Sequence, residues 1–422
     1  MILIILDVIF LQMNIKEIIV YFDYTKTKTS RQYLFRLFNE EEFSLDKTLE
    51  RQKILEIFIK NQKTTERLKT NDSEIKTILS FINNTDSSNY NQINKILYRK
   101  EFRLIDNNIN ITINFLHSFR NILQSIIFSE EIEYKNEIQQ KILFIDTFKI
   151  EELYYSLHQN KLSFKQRKFF LMQIASTNAK NMFVNFWDFF YMFDVYCSLS
   201  KGIINSDLVF PRFNKNKTFN IKNFYHLKLS TPVKNSIDFK NNNIIIFTGP
   251  NMSGKSTIMK SITIVVLLAH IGVGVPAAFC NIPFYQKIKF FFNVNDDLEK
   301  GHSYFMQELL NLKDVLVDLK LGKKSFIVFD EIFKGTNIND AMSITIKTIK
   351  GLSQFKDSIF LVSSHLNMID NDLSLKNILK LKLDCIFVNN ELKFTYKIEE
   401  GWAKLELGSV LFKNLGLNEL LE

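Results

Sequence analysis

The spacing of apolar positions changes once along this chain. Over the first two hundred or so residues they recur at helical intervals. Asp72 and Ser73 precede Ile75, Ile78, Leu79 and Ile82, an i, i+3, i+4, i+7 stripe with a candidate N-cap and with Glu74 in its first turn, which predicts an amphipathic helix. Glu130 to Phe144 and Phe164 to Ser200 read as helices too, the second unusually long and without an interior Gly or Pro. The aromatic run FVNFWDFFYMF (183–193) admits two readings, a base-stacking surface or helix packing, and packing is the expected one. Asn-rich stretches at 83–94 and 213–223 read as loops or linkers, and no internal repeat is visible.

Beyond about residue 222 the apolar residues come as short unbroken runs. Ile244–Phe247, Phe326–Phe329 and Ile359–Val362 are each four residues long, as expected for strands of a parallel sheet covered on both faces. The run from Ile262 to Phe279 is interrupted by His270, Gly272, Gly274 and Pro276, and so predicts a helix, a turn and a strand instead of a membrane span. The fold class expected is therefore α followed by α/β: a helical domain over 1–221, then a domain with a mostly parallel sheet over 222–422.

Composition adds limits. With 46% hydrophobic residues in 422, the chain can build real cores, and its length suits two or three domains. The formal charge of +9, from 54 basic and 45 acidic residues, permits a polyanionic partner without requiring one. Cys197, Cys280 and Cys385 are far apart and form no CxxC pair, which points away from a disulfide framework or zinc site and suits a reducing cytoplasm. The opening MILIILDVIFLQM is apolar, but it contains Asp7, lacks a basic flank and a cleavage site, and is too short to span a bilayer; Met13 is an alternative start.

The chemistry lies in the second half. TGPNMSGKST (248–257) follows an apolar strand and precedes an apolar helix, and Gly249-x-x-x-x-Gly254-Lys255-Ser256 fits the phosphate-binding P-loop. In that pattern the loop Gly249, Pro250, Asn251, Met252, Ser253 and Gly254 wraps phosphate oxygens, with backbone N–H groups supplied by its residues other than Pro250. Lys255 reaches the β- and γ-phosphates, and Ser256, next to Thr257, ligates Mg²⁺. SFIVFDE ends in Asp330 and Glu331, a Walker B candidate whose first carboxylate can hold Mg²⁺ through water and whose second can orient or deprotonate the attacking water. The strand after it ends in Ser363-Ser364-His365, at the sheet edge where α/β folds bind ligands. Between these motifs, NDDLEKGHSYFMQEL (295–309) places Gly301 and Ser303 before a helix containing Glu308. One domain has no room for two γ-phosphate loops, so Ser303 is expected to complete the site of a second subunit.

With its motifs taken in order, the chain resembles the MutS family of mismatch-repair ATPases. The resemblance rests on TGPNMSGKST, VPA (275–277), NDDLEKGHSYFMQE, DEIFKGTNINDA (330–341) and SSH (363–365), over roughly residues 222–390. FDYTKTKTSRQYLFRLF (22–38) and FDVYCSLSKG (193–202) resemble the start and end of that family's helical core or lever. The resemblance implies an ABC-type P-loop ATPase behind a lever, using ATP and Mg²⁺. Carried over by position, Lys255 and Ser256 bind phosphate and metal, and Asp330 binds the metal. Glu331 is the base, His365 senses the γ-phosphate, Ser303 reaches the partner's ATP, and Thr336 lies near the same seam. It further implies a homodimer, or a heterodimer with a longer family member, on double-stranded or branched DNA and away from membranes. A segment like the family's Phe-x-Glu wedge is not found in these residues, so DNA contact without classical mismatch reading is expected; the alternative is an ATP-switched scaffold for a protein or ribonucleoprotein. SYF stands for Ser-Thr-Phe, Leu227 follows His226 where Pro is common, and SSH stands for Thr-His, yet no charge the chemistry needs is lost. The tail from residue 395 resembles the segment after the family's ATPase and leaves little room for its C-terminal helical extension.

Overall fold

The computed structural model describes residues 15–85, 90, 98–159, 162–292, 304–333, 337–363, 377–388, 391–403, 412 and 417–421. The chain forms two compact units, one of residues 22–37 and 53–205, the other of residues 1–21, 38–52 and 206–422.

The first unit is helical. Its long members are the helices Arg99–Gln124 and Thr177–Asn205, joined by Asp72–Asn84, Glu133–Asp146, Ile150–Gln159 and Phe164–Ala175. The helix predicted at 72 forms, but its cap is Asn71, whose side chain accepts the Glu74 N–H at 3.0 Å, leaving Asp72 and Ser73 inside the first turn. The single helix expected over 164–200 is two: Ser176 is extended (ψ 140°) and its hydroxyl bonds back to the Gln173 carbonyl, the local competition by which serine ends helices. The helix expected from Glu130 starts at Glu133, after extended Ile132. The 183–193 aromatics resolve as packing: Phe186, Phe190 and Phe193 are fully buried and stack edge-on against Phe119 and its neighbours.

The second unit is α/β, with two sheets. Strands β1 (Arg212–Asn214), β2 (Thr218–Phe224), β3 (Asn235–Lys240) and β5 (Phe279–Pro283) pair in the order β1-β5-β2-β3. Here the linker expected over 213–223 is a strand instead: Phe219 and Ile221 point into the core on alternate positions, a period that the intervening Asn220 and Lys222 obscure. Strands β4 (Ile244–Thr248), β6 (Lys287–Phe291), β7 (Ser325–Phe329), β8 (Ile359–Ser363), β9 (Ile378–Val388) and β10 (Glu391–Glu400) form the larger sheet, ordered β10-β9-β4-β8-β7-β6. It is parallel throughout except for the β9–β10 hairpin. The three runs predicted as doubly covered strands are β4, β7 and β8, buried at every position.

Two helices, Tyr304–Lys320 and Ile338–Leu352, cover one side of this sheet through Val315, Leu319, Ile349 and Leu352. Helix Lys255–Ile271, apolar nearly all round, contacts β2 of one sheet and β8 of the other, which explains why its hydrophobic pattern lacks a polar face. It ends at left-handed Gly272, the predicted turn before β5. Among the described residues no helix is long and apolar enough to cross a membrane.

Candidate functional site

The loop after β4 is shaped by two glycines. Gly249 has φ +149°, and a Cβ on it would lie 2.6 Å from the Leu383 carbonyl oxygen of β9 and 2.9 Å from Ser253 Oγ, so a larger residue would push the loop off the sheet. Gly254, at φ +94°, caps helix Lys255–Ile271; a Cβ there would come within 3.0 Å of the Tyr396 ring. Asn251 and Met252 form the exposed tip, with Met252 left-handed at φ 68°, while Pro250 and Ser253 turn inward. The Lys255 side chain is buried, and its ammonium donates to the Gly249 and Pro250 carbonyls at 2.7 and 3.0 Å. Backbone dipoles thus hold the cation inside the loop. Ser256 is half-buried in the first helical turn, beside exposed Thr257. At the root of the loop Thr248 Oγ1 donates to the Leu381 carbonyl and accepts the Ala403 N–H.

The carboxylates lie along the same sheet edge. Phe247 pairs with Ser363 and Phe329 with Val362, so the loop, Ser363 and Asp330 stand abreast at the C-terminal ends of β4, β8 and β7. Two inter-strand steps, about 10 Å, separate the outer pair. Ser363 Oγ donates to Asp330 Oδ1 at 2.7 Å and accepts the Glu331 N–H at 2.7 Å, fixing both acidic residues with one hydroxyl. The Asp330 N–H continues the ladder to the Phe291 carbonyl.

The turn that follows is strained. Glu331 (φ 56°) and Phe333 (φ 63°) are both left-handed without being glycine, each costing on the order of 1–3 kcal/mol. Glu308, buried on helix Tyr304–Lys320, accepts the Phe333 N–H at 2.9 Å, and the Phe305 and Phe333 rings meet edge to face. The Walker B candidate and the helix behind the 295–309 motif are therefore bonded within one unit.

Of the residues singled out in the sequence, Gly249, Pro250, Asn251, Met252, Ser253, Gly254, Lys255, Ser256 and Thr257 form the loop, and Asp330 and Glu331 share its edge of the sheet. Ser303, Thr336 and His365 lie outside the described residues. Sequence reasoning missed Tyr396. A bulge in β10, between Phe394 and Ile398, puts this residue at φ 53° against Gly254, and buried Asn235 pins the bulge by donating to the Tyr396 carbonyl and accepting the Ile398 N–H. No local signal marks a bulge; the FTYKIEE segment reads only as polar strand.

Ser256 and Asp330 are hard oxygen donors of the kind Mg²⁺ takes, and that ion keeps several waters and phosphate oxygens, so two protein ligands suffice. A lysine held by the Gly249 and Pro250 carbonyls at the N-terminus of helix Lys255–Ile271 suits a polyphosphate.

Comparison with known proteins agrees with the motif order. Residues 245–418 match the family model for MutS domain V. The chain is 33% identical over 220 residues, 51% of its length, to the DNA mismatch repair protein MutS of Acholeplasma laidlawii. It is 34% identical over 170 residues to that of a Geobacillus strain, and 29% identical over 237 residues to that of Clostridium botulinum. These matches span only 26%, 20% and 25% of the relatives' own lengths, about a quarter.

Proposed function

Residues 245–418 belong to the MutS domain V family, and from that premise we propose that this chain is a Mg²⁺-dependent ATPase of ABC-type P-loop architecture, acting on DNA as a dimer. The observation that carries the proposal is the alignment of the Lys255 loop, Ser363 and the Asp330–Glu331 pair along one edge of a parallel sheet, with β8 between the loop strand and the acidic strand.

ATP would place its β- and γ-phosphates in the loop of 249–254, where Lys255 exchanges its two carbonyl contacts for phosphate oxygens. Ser256 and Asp330 would hold Mg²⁺, which when bound neutralises the phosphate charge that builds up as the γ-phosphoryl group is transferred. Glu331 positions a water in line with the γ-phosphorus and takes its proton, and the Ser363 bond to its N–H keeps the backbone from relaxing out of the left-handed turn. Tyr396, packed on Gly254, offers a ring to the nucleotide base. His365 senses the γ-phosphate, and Ser303, with Thr336 near the same seam, reaches the ATP of a second subunit, so that ATP draws two domains together and hydrolysis releases them.

In this reading the helical unit within residues 1–221 is the lever and the α/β unit that holds 222–422 is the ATPase, working in the cytoplasm on double-stranded or branched DNA. Contact is by backbone charge and shape, without classical mismatch reading. The charge distribution supports it: the helical unit has 24 basic against 17 acidic residues, which is most of the chain's excess of +9.

The deciding experiment is ATP hydrolysis by the wild type and by Glu331→Gln. Slow Mg²⁺-dependent turnover that falls about 100-fold or more in the variant, with ATP binding retained, supports the assignment. Equal rates in both proteins remove Glu331 from the mechanism, and a wild type that binds no ATP removes the function.

A further inference from the structure

Two helices of the first unit begin side by side. Tyr90 stacks on Phe102 (centroids 4.9 Å) and on Phe164 (5.1 Å), so the first turns of helices Arg99–Gln124 and Phe164–Ala175 share one ring between them. Buried Arg167 locks the same corner, bonding Asp106 and Asn110 across the gap. Around this joint stand five exposed cations: Arg99, Lys100 and Arg103 from one helix, Lys165 and Lys168 from the other. Among the described residues none of the five forms an ion pair.

Among the described residues the nearby acids offset them only in part. Asp106 is taken by Arg167 and by the Tyr90 hydroxyl at 2.8 Å. Helix Phe164–Ala175 contains no Asp or Glu, which leaves Glu101 as the acid within the first turn of either helix. Both helices also present their N-terminal, positive dipole ends at this corner.

We propose that this five-cation corner is where the helical unit grips the phosphate backbone of duplex DNA. The inference rests on the DNA-binding reading above and adds the surface. Cations from two rigid helix starts, held in place by a buried aromatic and a buried arginine, can follow successive phosphates while reading no base, as contact without mismatch discrimination requires. A protein partner is disfavoured because the corner is charged of one sign, whereas the fully buried core of a protein interface is depleted in charge.

The test is duplex binding across a salt series for the full chain, for the quadruple variant Arg99→Ala, Arg103→Ala, Lys165→Ala, Lys168→Ala, and for a control, Lys63→Ala, Arg67→Ala, Lys69→Ala, which removes exposed charge elsewhere on the same unit. The corner variant should bind at least tenfold more weakly at about 0.1 M salt, with a log K against log salt slope shallower by about 2 to 4, while the control and ATP hydrolysis stay near wild type. An unchanged slope, or an equal loss in the control, overturns the corner and leaves the DNA reading standing. A wild type without duplex affinity at low salt overturns both.

Discussion

His270 shows how one side chain ties titration to packing. It is fully buried in helix Lys255–Ile271, its Nδ1–H donates to the Val266 carbonyl at 2.7 Å, and its Nε2 accepts the Tyr285 N–H at 2.8 Å. Only the neutral ring satisfies both bonds, and burial pushes its pKa down to about 4 from 6.5. The unfolded chain therefore binds the extra proton between those values, so the stabilisation is complete above pH 6.5 and is lost as pH falls toward 4. The amount is about 3 kcal/mol. Denaturant unfolding measured from pH 7 to 4 should show that loss, and His270→Gln should flatten this part of the profile; an identical profile in the variant would assign the slope to other groups. In the sequence this histidine was visible only as an interruption of an apolar run, because a satisfied core histidine and a surface one look alike until their partners are known. The loop residues were the opposite case. The glycine-rich loop from Gly249 to Ser256 was legible because the P-loop pattern fixes residue type and spacing within eight positions, and the proposed phosphate site rests on that pattern.

At the scale of elements, β4, β7 and β8 were readable because a strand covered on both faces needs an uninterrupted apolar run. Strand β2 was not, since one of its faces carries Asn220 and Lys222 and the Asn content resembles a loop. The β9–β10 hairpin matters most for the site, because its bulge brings Tyr396 to the glycine loop through Asn235, a residue some 160 positions earlier. Asn235→Ala leaves the Ile398 N–H and the Tyr396 carbonyl without these bonds, at a cost of about 1–3 kcal/mol in stability. It should also raise the KM for ATP while changing kcat little. Thermal melts and steady-state kinetics check both; a fall in kcat with KM unchanged would place the bulge in the chemistry and not in nucleotide binding. The break at Ser176 was missed for a related reason: Ser-Thr ends a helix only when the backbone finds another partner, here the Gln173 carbonyl bonded by the Ser176 hydroxyl.

For the whole molecule the prediction concerns assembly. If Ser303 completes a partner's site, ATP bound without hydrolysis should hold two chains together. Glu331→Gln with ATP and Mg²⁺ should then run at twice the 49.7 kDa of the chain in light scattering, and revert to the mass seen without nucleotide when ATP is exchanged for ADP. A mass indifferent to nucleotide would mean that the second subunit, if there is one, is not recruited by the γ-phosphate.

The sequence by itself determined the change from helical to α/β architecture, the doubly covered strands and the positions of the glycine-rich loop and the Asp330–Glu331 pair at strand ends, because each is written in residues close together in the chain and constrained by backbone period or local spacing. What the tertiary structure decided is which distant residues meet. Ser363 joins Asp330 to Glu331, Glu308 braces the strained turn after them, Tyr396 closes on Gly254, and two helix starts sixty-five residues apart gather five cations around Tyr90. These pairings depend on strand order, a β-bulge and helix packing, and one-dimensional spacing carries no record of such long-range geometry.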